Sequence, residues 1–489
     1  MTTSPLKTIA ICGAGFSGIL CAAALVKSLP EDIELLLIDI PGSNETDMFF
    51  GNVTSPAIYD FLLNIGITEP ELLPKTNTTF SLGTRYSNWG KNQRSWIQSF
   101  HTPLPAFQGV AFHHYLTGLR NSIAVLNSVE PYIMSAQAAD KGVFAHPPED
   151  KKTPLSSVEY GYHFSLEEWS ALISTKIKDS RIEMVSGEIK TVQIQDGQIR
   201  SITLTDEKTI EADFFIDCTG INSKIGQSEI QSERRLKAIS YYRDKDITIP
   251  TCRTLTGTDF GWYSDTTLQD RQNRLTIYDP ANEEIALSEL DELNVTPIQA
   301  IIGYANQPWQ ANCLTLGHGA ATLEPLTPAP IMLLQRDIER LIELIPHTDN
   351  MDVEAREYNR RFIEDYNHAS MFQRGFFDDE SETNSPYWQS AIDTKTSQKL
   401  ANKITQFQSR GTVVEYDLEP FVREDWIQQH YGMGRLPRRH DPLADKADKH
   451  QIVQTLMHMR SANEALAAKM PPHHIYMKKL LEYIRKTHG

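Results

Sequence analysis

A glycine-rich segment near the start of the chain has the composition and spacing of a dinucleotide-binding turn. Gly13-Ala14-Gly15-Phe16-Ser17-Gly18 fits the pattern G-x-G-x-x-G. The first glycine permits a tight turn, the second lets a diphosphate approach the backbone, and the third lets a helix pack closely on a strand. N–H groups at the start of that helix would then attract the phosphates. We therefore predict that all six residues contact the cofactor.

The elements around this turn have the order that such a site requires. Thr8–Cys12 predicts a short apolar strand, Ile19–Leu29 an Ala/Leu-rich helix, and Ile33–Asp39 a second buried strand. Two such strands joined by a helix form a parallel pair. Asp39 follows the glycines by about 20 residues, where a carboxylate would bind a ribose hydroxyl. The alternative is a glycine-rich turn in a different α/β fold.

Two later strands that end in glycine favour FAD over NAD as the cofactor. They are Phe214–Gly220 and Cys313–Gly319, and flavoproteins of this topology bring several strand ends to one long dinucleotide. The sequence has no second G-x-G-x-x-G that would hold NAD(P)H separately. We therefore expect a separate flavin reductase to supply the reducing equivalents.

Composition limits the class of protein. The 489 residues are 40% hydrophobic and 22% charged, which is ordinary for a globular chain. A net charge of -16 argues against a nucleic-acid partner. The five cysteines are scattered, and because they include no CxxC pair we expect neither a disulfide framework nor a metal site. No signal peptide or apolar run of about 20 residues is present, so we predict a cytoplasmic protein with no membrane partner.

Several segments, taken in order, resemble the flavin-dependent tryptophan halogenase family, a branch of the FAD monooxygenases. Besides the glycine-rich turn, the resemblance rests on Gly51-Asn52-Val53-Thr54-Ser55-Pro56, Asn77–Trp89, Tyr160–Phe164, Asp217–Gly220, Asn312–Leu326 and Gly432-Met433-Gly434 with Pro437, Pro442 and Leu443. The resemblance implies that Val53, Thr54, Gly317, Ala329 and Ile331 also lie at the FAD.

The resemblance and the residue patterns together predict an α/β fold. Its Rossmann-like FAD-binding domain, of the flavin monooxygenase/halogenase type, would carry an inserted β-rich substrate region and a helical C-terminal portion. Asp196-Gly197 predicts a hairpin turn within it, and Ile331–Ile345, Asp352–Phe372 and Lys449–Met470 have helical spacing. We predict an FAD-binding domain with interleaved substrate-binding strands over residues 1–345, and a mainly helical region over residues 346–489 that packs on the active site.

The departures from the family pattern concern the handling of halide. Ser81 occupies the position of the family's active-site lysine, and a hydroxyl has neither its charge nor its amine. Arg85 would share a strand face with Ser81, but about 13 Å away. Thr327 stands at the family's second glutamate of E-P-L-E-S-T-G, and Pro328-Ala329-Pro330 replaces its halide-binding S-T-G. Two prolines there remove two N–H donors that an anion would need.

Other departures concern the substrate. Gln98 stands before Ser99-Phe100, where family members that act on free tryptophan tend to have histidine, and Gly261-Trp262-Tyr263 keeps only the first tryptophan of W-x-W-x-I-P. Phe100 would orient an aromatic ring, with core packing as its alternative. Ser81 and Gln98 would guide the substrate, or else be structurally bonded side chains. With Thr327, these are the four candidate catalytic residues.

These observations lead to one main hypothesis and two alternatives. The main hypothesis is a monooxygenase that uses reduced FAD and O2 on an indole or other aromatic substrate, either a small molecule or a peptide-borne ring. The first alternative is a halogenase with a non-standard halide relay. The second is a non-catalytic flavin-binding protein that helps maturation or serves as a partner. The oligomeric state is left open.

Overall fold

The computed structural model describes residues 5–100, 105–120, 127–150, 153–178, 180–226, 229–244, 248–288, 295–377, 385–394 and 396–488. Within this part of the chain the strands, numbered in chain order, are β1 (Thr8–Cys12), β2 (Glu34–Asp39), β3 (Thr79–Ser81), β4 (Gly83–Trp89), β5 (Arg94–Ser99), β6 (Ala106–Phe107), β7 (Val110–Ala111), β8 (Gly161–His163), β9 (Glu183–Ser186), β10 (Ile189–Gln195), β11 (Gln198–Leu204), β12 (Thr209–Glu211), β13 (Phe214–Asp217), β14 (Ile230–Asp244), β15 (Arg253–Gly257), β16 (Gly261–Thr267), β17 (Arg271–Tyr278), β18 (Ile298–Ala305), β19 (Trp309–Gln310), β20 (Cys313–Thr315) and β21 (Ala321–Thr322).

Helices flank these strands and dominate the later part of the chain. They are α1 (Phe16–Ser28), α2 (Ile58–Asn64), α3 (Glu69–Lys75), α4 (Phe112–Leu119), α5 (Met134–Lys141), α6 (Leu166–Lys178), α7 (Glu283–Ser288), α8 (Ala329–Glu343), α9 (Asp352–Arg374), α10 (Pro386–Asp393), α11 (Gln398–Arg410), α12 (Arg423–Gly432), α13 (Lys449–Lys469) and α14 (His473–His488). The predicted fold class is confirmed, and so is its helical C-terminal portion.

Contacts divide the chain into two compact units, each assembled from three segments. Unit 1 contains Met1–Asn77, Phe164–Ser240 and Glu292–Asn367, and unit 2 contains Thr78–His163, Tyr241–Asp291 and His368–Gly489. The division predicted at residue 345 describes contiguous regions rather than these interleaved segments, and it stays a prediction.

Unit 1 is built on a sheet with the order β19-β20-β13-β1-β2-β9. β1 lies inside the sheet and pairs in parallel with β2 and β13, which confirms the predicted β-α-β unit. Because both faces of β1 are covered, Ile9, Ala10, Ile11 and Cys12 are fully buried. α1 packs against α6 and α8. It begins at Phe16, three residues before the predicted start.

A second sheet of unit 1 has the order β10-β11-β12. The predicted hairpin turn is confirmed between β10 and β11, where Asp196 and Gly197 have φ angles of 54° and 77°. Two successive residues with positive φ suit the right-handed twist of a hairpin. β18 pairs with β14 and β21 in the same unit, and β14 continues into unit 2.

Unit 2 contains a sheet with the strand order β17-β16-β15-β4-β5. β4 pairs in parallel with β15 and antiparallel with β5. β3 is separate from this sheet and pairs with β8. Among the described residues, no helix is long and apolar enough to span a membrane.

Candidate functional site

The glycine-rich turn of unit 1 is closely packed against neighbouring backbone. Gly13 has a φ of 103°, and a Cβ added to it would lie 2.5 Å from the Cys218 carbonyl oxygen. A Cβ on Gly15 would overlap the Ser43 carbonyl oxygen, and one on Gly18 would overlap the Gly13 carbonyl oxygen. Each obstacle is backbone, so none moves cheaply. The three glycines are therefore required by the geometry of the turn.

The first N–H of α1 already binds a carboxylate. Asp47 accepts a hydrogen bond from the Phe16 amide at 2.9 Å. This side chain is 9% exposed, and burial raises its pKa to about 7 even though the bond to Phe16 opposes the shift. The Phe16 amide at the start of α1 is thus already used by a carboxyl group whose charged form burial disfavours, and the following N–H groups of the helix start are the ones left for a diphosphate.

Asp47 should make the stability of the protein depend on pH. Because the folded pKa of about 7 lies above the ordinary value of 3.8, the folded state holds a proton that the unfolded state loses, and stability falls as pH rises between those values. We expect Asp47→Asn to unfold like the original protein near pH 4 and to be more stable by about 4 kcal/mol at pH 8. Urea unfolding without added flavin measures this.

Asp60→Asn is the matched control for that experiment, because Asp60 is an exposed acid in the first turn of α2. Its pH profile should follow that of the original protein. Parallel pH profiles of stability for Asp47→Asn and the original protein would contradict the raised pKa of Asp47.

A cleft of about 380 Å³ lies beside this turn. It is lined by the segment after β2, from Ile40 to Thr46, and by the turn after β13, from Thr219 to Lys224. The buried Asp217 carboxylate shapes that turn by accepting hydrogen bonds from the Thr219 hydroxyl at 2.6 Å and from the Gly226 amide at 3.0 Å. The volume is in the range of small-molecule sites. Asp39 is exposed at the end of β2, and its predicted bond to a ribose stays a prediction.

An aromatic cluster joins the glycine-rich turn to the later strand ends of unit 1. The Phe50 ring lies 5.5 Å from Phe16 and 4.0 Å from His318, measured between centroids. Val53 and Thr54 follow directly and are fully buried. The segment that resembles the family's flavin loop is therefore anchored beside the start of α1.

His318 is the least expected member of this cluster. Because it lies between Gly317 and Gly319, the sequence indicates that His318 acts mainly through its backbone in a turn. In the structure, however, the imidazole itself is buried. Burial lowers its pKa to about 3, so the ring is neutral at physiological pH. The Nε2 atom is buried and has no hydrogen-bond partner among the described residues. Buried polar atoms are normally hydrogen-bonded, so we expect a bound molecule to supply the partner of Nε2.

The start of α8 is already satisfied by its own residues. The Thr327 hydroxyl accepts a hydrogen bond from the Ala329 amide at 3.2 Å, and Pro328 and Pro330 have no N–H to donate. Ala329 and Ile331 are buried. Thr327 therefore has a structural bond, and little donor capacity is left here for an anion. Its catalytic role stays a prediction.

The residues of unit 1 fit a dinucleotide cofactor. They offer a glycine turn packed tightly against neighbouring backbone, the start of α1, an adjoining cleft and a buried imidazole nitrogen. Among the described residues, no group of three or more His, Cys, Asp or Glu side chains is arranged to hold a metal ion.

Ser81 lies at the end of β3 in unit 2 and is fully buried. Its hydroxyl is 3.3 Å from the Gly83 carbonyl oxygen and 3.4 Å from the Gly83 amide, so its contacts are local. The expectation that Ser81 and Arg85 share one strand was wrong, because Gly83, with a φ of 142°, begins a new strand in another sheet. Arg85 instead bonds Asp140 at 2.9 Å.

Gln98 and Phe100 lie together on one edge of the unit 2 sheet. Gln98 lies near the end of β5, and Phe100 follows directly after the strand. Phe100 is half-buried, and its amide bonds the Leu82 carbonyl oxygen at 3.1 Å. Gln98 donates from Nε2 to the Asp425 carbonyl oxygen at 2.9 Å, while its Oε1 has no partner among the described residues.

Sequence reasoning missed the contributions of Asp47 and Arg253, and for His318 it favoured a backbone role in the turn over a role of the imidazole. Arg253 is a fully buried arginine on β15. A single polar residue carries no sign of burial in a sequence, so only alternation along β15 could have suggested that Arg253 faces inward.

Comparison with known proteins gives a consistent result. The family model described as tryptophan halogenase matches residues 8–449. The tryptophan 6-halogenase ThaL of Streptomyces albogriseolus is 21% identical over 92% of this chain and 93% of its own length. The tryptophan 6-halogenase SttH of Streptomyces toxytricini is 24% identical over 71% of this chain and 73% of its own length.

Solved structures share the whole fold. BrvH, a flavin-dependent halogenase from Brevundimonas sp. BAL3, superposes with a TM-score of 0.89 at 23% identity, covering 97% of this chain and 99% of that one. A flavin-dependent halogenase from Xanthomonas campestris gives 0.87 at 24% identity, covering 97% and 98%.

Proposed function

This chain belongs to the tryptophan halogenase family, and on that premise we propose that it oxygenates an electron-rich aromatic substrate with reduced FAD and O2. Bound and reduced, FAD supplies two electrons, so that one oxygen atom of O2 enters the substrate and the other becomes water. The start of α1, from Gly15 to Gly18, would hold the diphosphate, and the segment around Thr54 would lie against the flavin. A separate flavin reductase would deliver the electrons.

The observation that carries the proposal is the environment of Ser81. The resemblance places the family's lysine there, and this chain has a neutral hydroxyl bonded within its own turn at 3.3 Å and 3.4 Å. The start of α8 also offers few donors to a halide. The Ala329 amide is bound by the Thr327 hydroxyl, and the two prolines have no N–H group. A halide would lack both the expected cation and the expected amides, while the cofactor residues are present.

Phe100 and Gln98 would position the substrate. A half-buried aromatic ring next to a buried amide oxygen suits a planar ring that carries one N–H donor. An indole has both features, whether free or on a peptide. We therefore propose that Gln98 Oε1 accepts the ring N–H while Phe100 packs against the ring face.

We also propose that His318 Nε2 bonds the cofactor. Replacing the imidazole by leucine removes the buried Nε2, which has no partner in the described part of the chain, but also the 3.3 Å contact between Nδ1 and the Thr322 hydroxyl, so the protein alone should lose at most about 1 kcal/mol of stability. FAD affinity should nevertheless fall roughly tenfold, the equivalent of one hydrogen bond. Thermal unfolding without flavin and FAD fluorescence titration measure the two effects. Unchanged FAD affinity in His318→Leu would contradict a hydrogen bond between His318 and the cofactor.

A product assay separates oxygenation from halogenation. Purified protein receives FAD, a flavin reductase with NADH, O2 and either indole or tryptophan, with and without sodium bromide. We expect a product 16 mass units heavier whose yield does not depend on bromide. The names of the relatives favour the other candidate, a halogenase with a non-standard halide relay, and a brominated product would establish it.

Oxygen consumption tests the non-catalytic alternative. A flavin-binding partner protein would consume O2 no faster than free reduced flavin does. Consumption above that background that tracks the loss of indole or tryptophan would exclude this reading, and consumption at background with every ring compound tried would favour it.

A further inference from the structure

Five polar side chains form a single row across the buried face of the unit 2 sheet. The strand registers pair Gln98 with Thr84, Thr84 with Arg253, and Thr266 with Asn273. The β15–β16 register pairs Thr254 with Asp265, and continuing it by one residue places Thr266 opposite Arg253. Residues paired in this way point to the same side of a sheet. We call Gln98, Thr84, Arg253, Thr266 and Asn273 the polar row. The next row on this face contains Leu255, Tyr86 and Trp96 together with Ser264, whose buried hydroxyl also has no partner among the described residues.

The hydroxyl groups on either side of Arg253 are buried and have no protein partner. Thr84 and Thr266 are 2% and 1% exposed. Neither Oγ1 atom has a hydrogen-bond partner among the described residues, and the same holds for the fully buried Thr251, two residues before Arg253 on the same face. Each such hydroxyl destabilises the folded protein if nothing binds it. Three of them in one patch indicate a missing ligand rather than an isolated packing defect.

The centre of the row carries a positive charge. The Arg253 side chain is fully buried, and although burial lowers its pKa to about 10, the guanidinium stays protonated at neutral pH. The nearby His163 is neutral, because burial lowers its pKa to about 3, and His473 and Arg253 lower it further. Guanidinium N–H groups and hydroxyls are donors that together select an anion.

We propose that Arg253, Thr84 and Thr266 form a buried site for one monovalent anion. Two sources share that chemistry, a free halide and the carboxylate of an organic substrate. Adjacent strands lie about 4.8 Å apart, so the two threonines flank Arg253 on the neighbouring strands. Gln98, at the end of the row, links the anion site to the residues proposed to bind the substrate ring. The site does not depend on flavin, and it can therefore fail while the proposed function stands.

The test compares two double variants of the full chain. Thr84→Val/Thr266→Val removes both hydroxyls at nearly constant volume, and because these groups have no protein partner the variant should fold with unchanged or higher stability. Thr254→Val/Thr256→Val is the matched control, since these half-buried residues alternate with Arg253 along β15 and face the other side of the sheet. Sodium bromide, sodium acetate and sodium indole-3-acetate are titrated against each protein in thermal unfolding.

We expect one anion to stabilise the original protein and the control variant in a saturable way, with affinity weakened about tenfold or more in Thr84→Val/Thr266→Val. A response to bromide, with a bromine anomalous-scattering peak beside Arg253 in a bromide-soaked crystal, identifies a halide site. A response to indole-3-acetate that bromide does not reproduce identifies a substrate carboxylate site. Equal responses in all three proteins, or ordered water alone beside Arg253, would overturn the proposal.

Discussion

Replacing Gly18 by alanine should weaken FAD binding strongly and destabilise unit 1. The added Cβ would overlap the Gly13 carbonyl oxygen, so α1 and the turn before it could not both keep their positions. Overpacking against rigid backbone costs about 3 kcal/mol, and displacing the N–H groups that hold the diphosphate should weaken FAD by roughly 100-fold. FAD fluorescence titration and urea unfolding measure the two effects.

Gly118→Ala is the matched control for this substitution. Gly118 also lies inside a helix, but a Cβ there would be 3.4 Å from the His440 ring, close to ordinary contact. Alanine is the better helix former by about 0.5–1 kcal/mol, so this variant should bind FAD normally. Gly18→Ala with the original FAD affinity would show that the turn does not hold the diphosphate.

Replacing Arg340 by methionine should cost unit 1 about 3–5 kcal/mol of unfolding free energy. Arg340 joins α8 to α9 by bonding Asp337 at 2.7 Å and by pairing with Asp365, and all three side chains are buried. Burial already raises the pKa of Asp337 to about 7. Without the guanidinium, Asp337 would have to take up a proton or remain a buried charge, while Asp365 would keep its ion pair with Arg336 at 2.8 Å.

Arg361→Met provides the comparison for that loss. Arg361 bonds Glu343 at 2.8 Å and Glu357 at 2.7 Å, but its side chain is 32% exposed, and surface pairs of this kind contribute at most about 1 kcal/mol. Urea unfolding of both variants should give clearly different midpoints. Similar midpoints would mean that the buried pair does not hold α8 to α9.

The local pattern of unit 1 was sufficient to predict its central elements. Thr8–Cys12 is a continuous apolar run because both faces of β1 are covered, and the glycines mark the turn directly. α8 was predicted to begin at Ile331 and begins at Ala329, because prolines are tolerated in the first turn of a helix.

The features that could not be predicted from the sequence depend on residues that are distant along the chain. β3 ends at Ser81 and β4 begins at Gly83, where only glycine fits because a Cβ would overlap the Gln98 carbonyl oxygen, and that neighbour is set by sheet pairing. The polar row has the same origin, since its residues come from five strands whose register no local pattern fixes. The interleaved segments of the two units likewise follow from contacts between distant strands.

The most direct test of the central claim follows the fate of one oxygen atom. The protein is supplied with reduced FAD, ¹⁸O2 and indole or tryptophan in the presence of bromide, and the product is weighed by mass spectrometry. We predict a product that carries one ¹⁸O atom and no bromine, with the same yield when bromide is omitted. A product that carries bromine and no ¹⁸O would contradict the account.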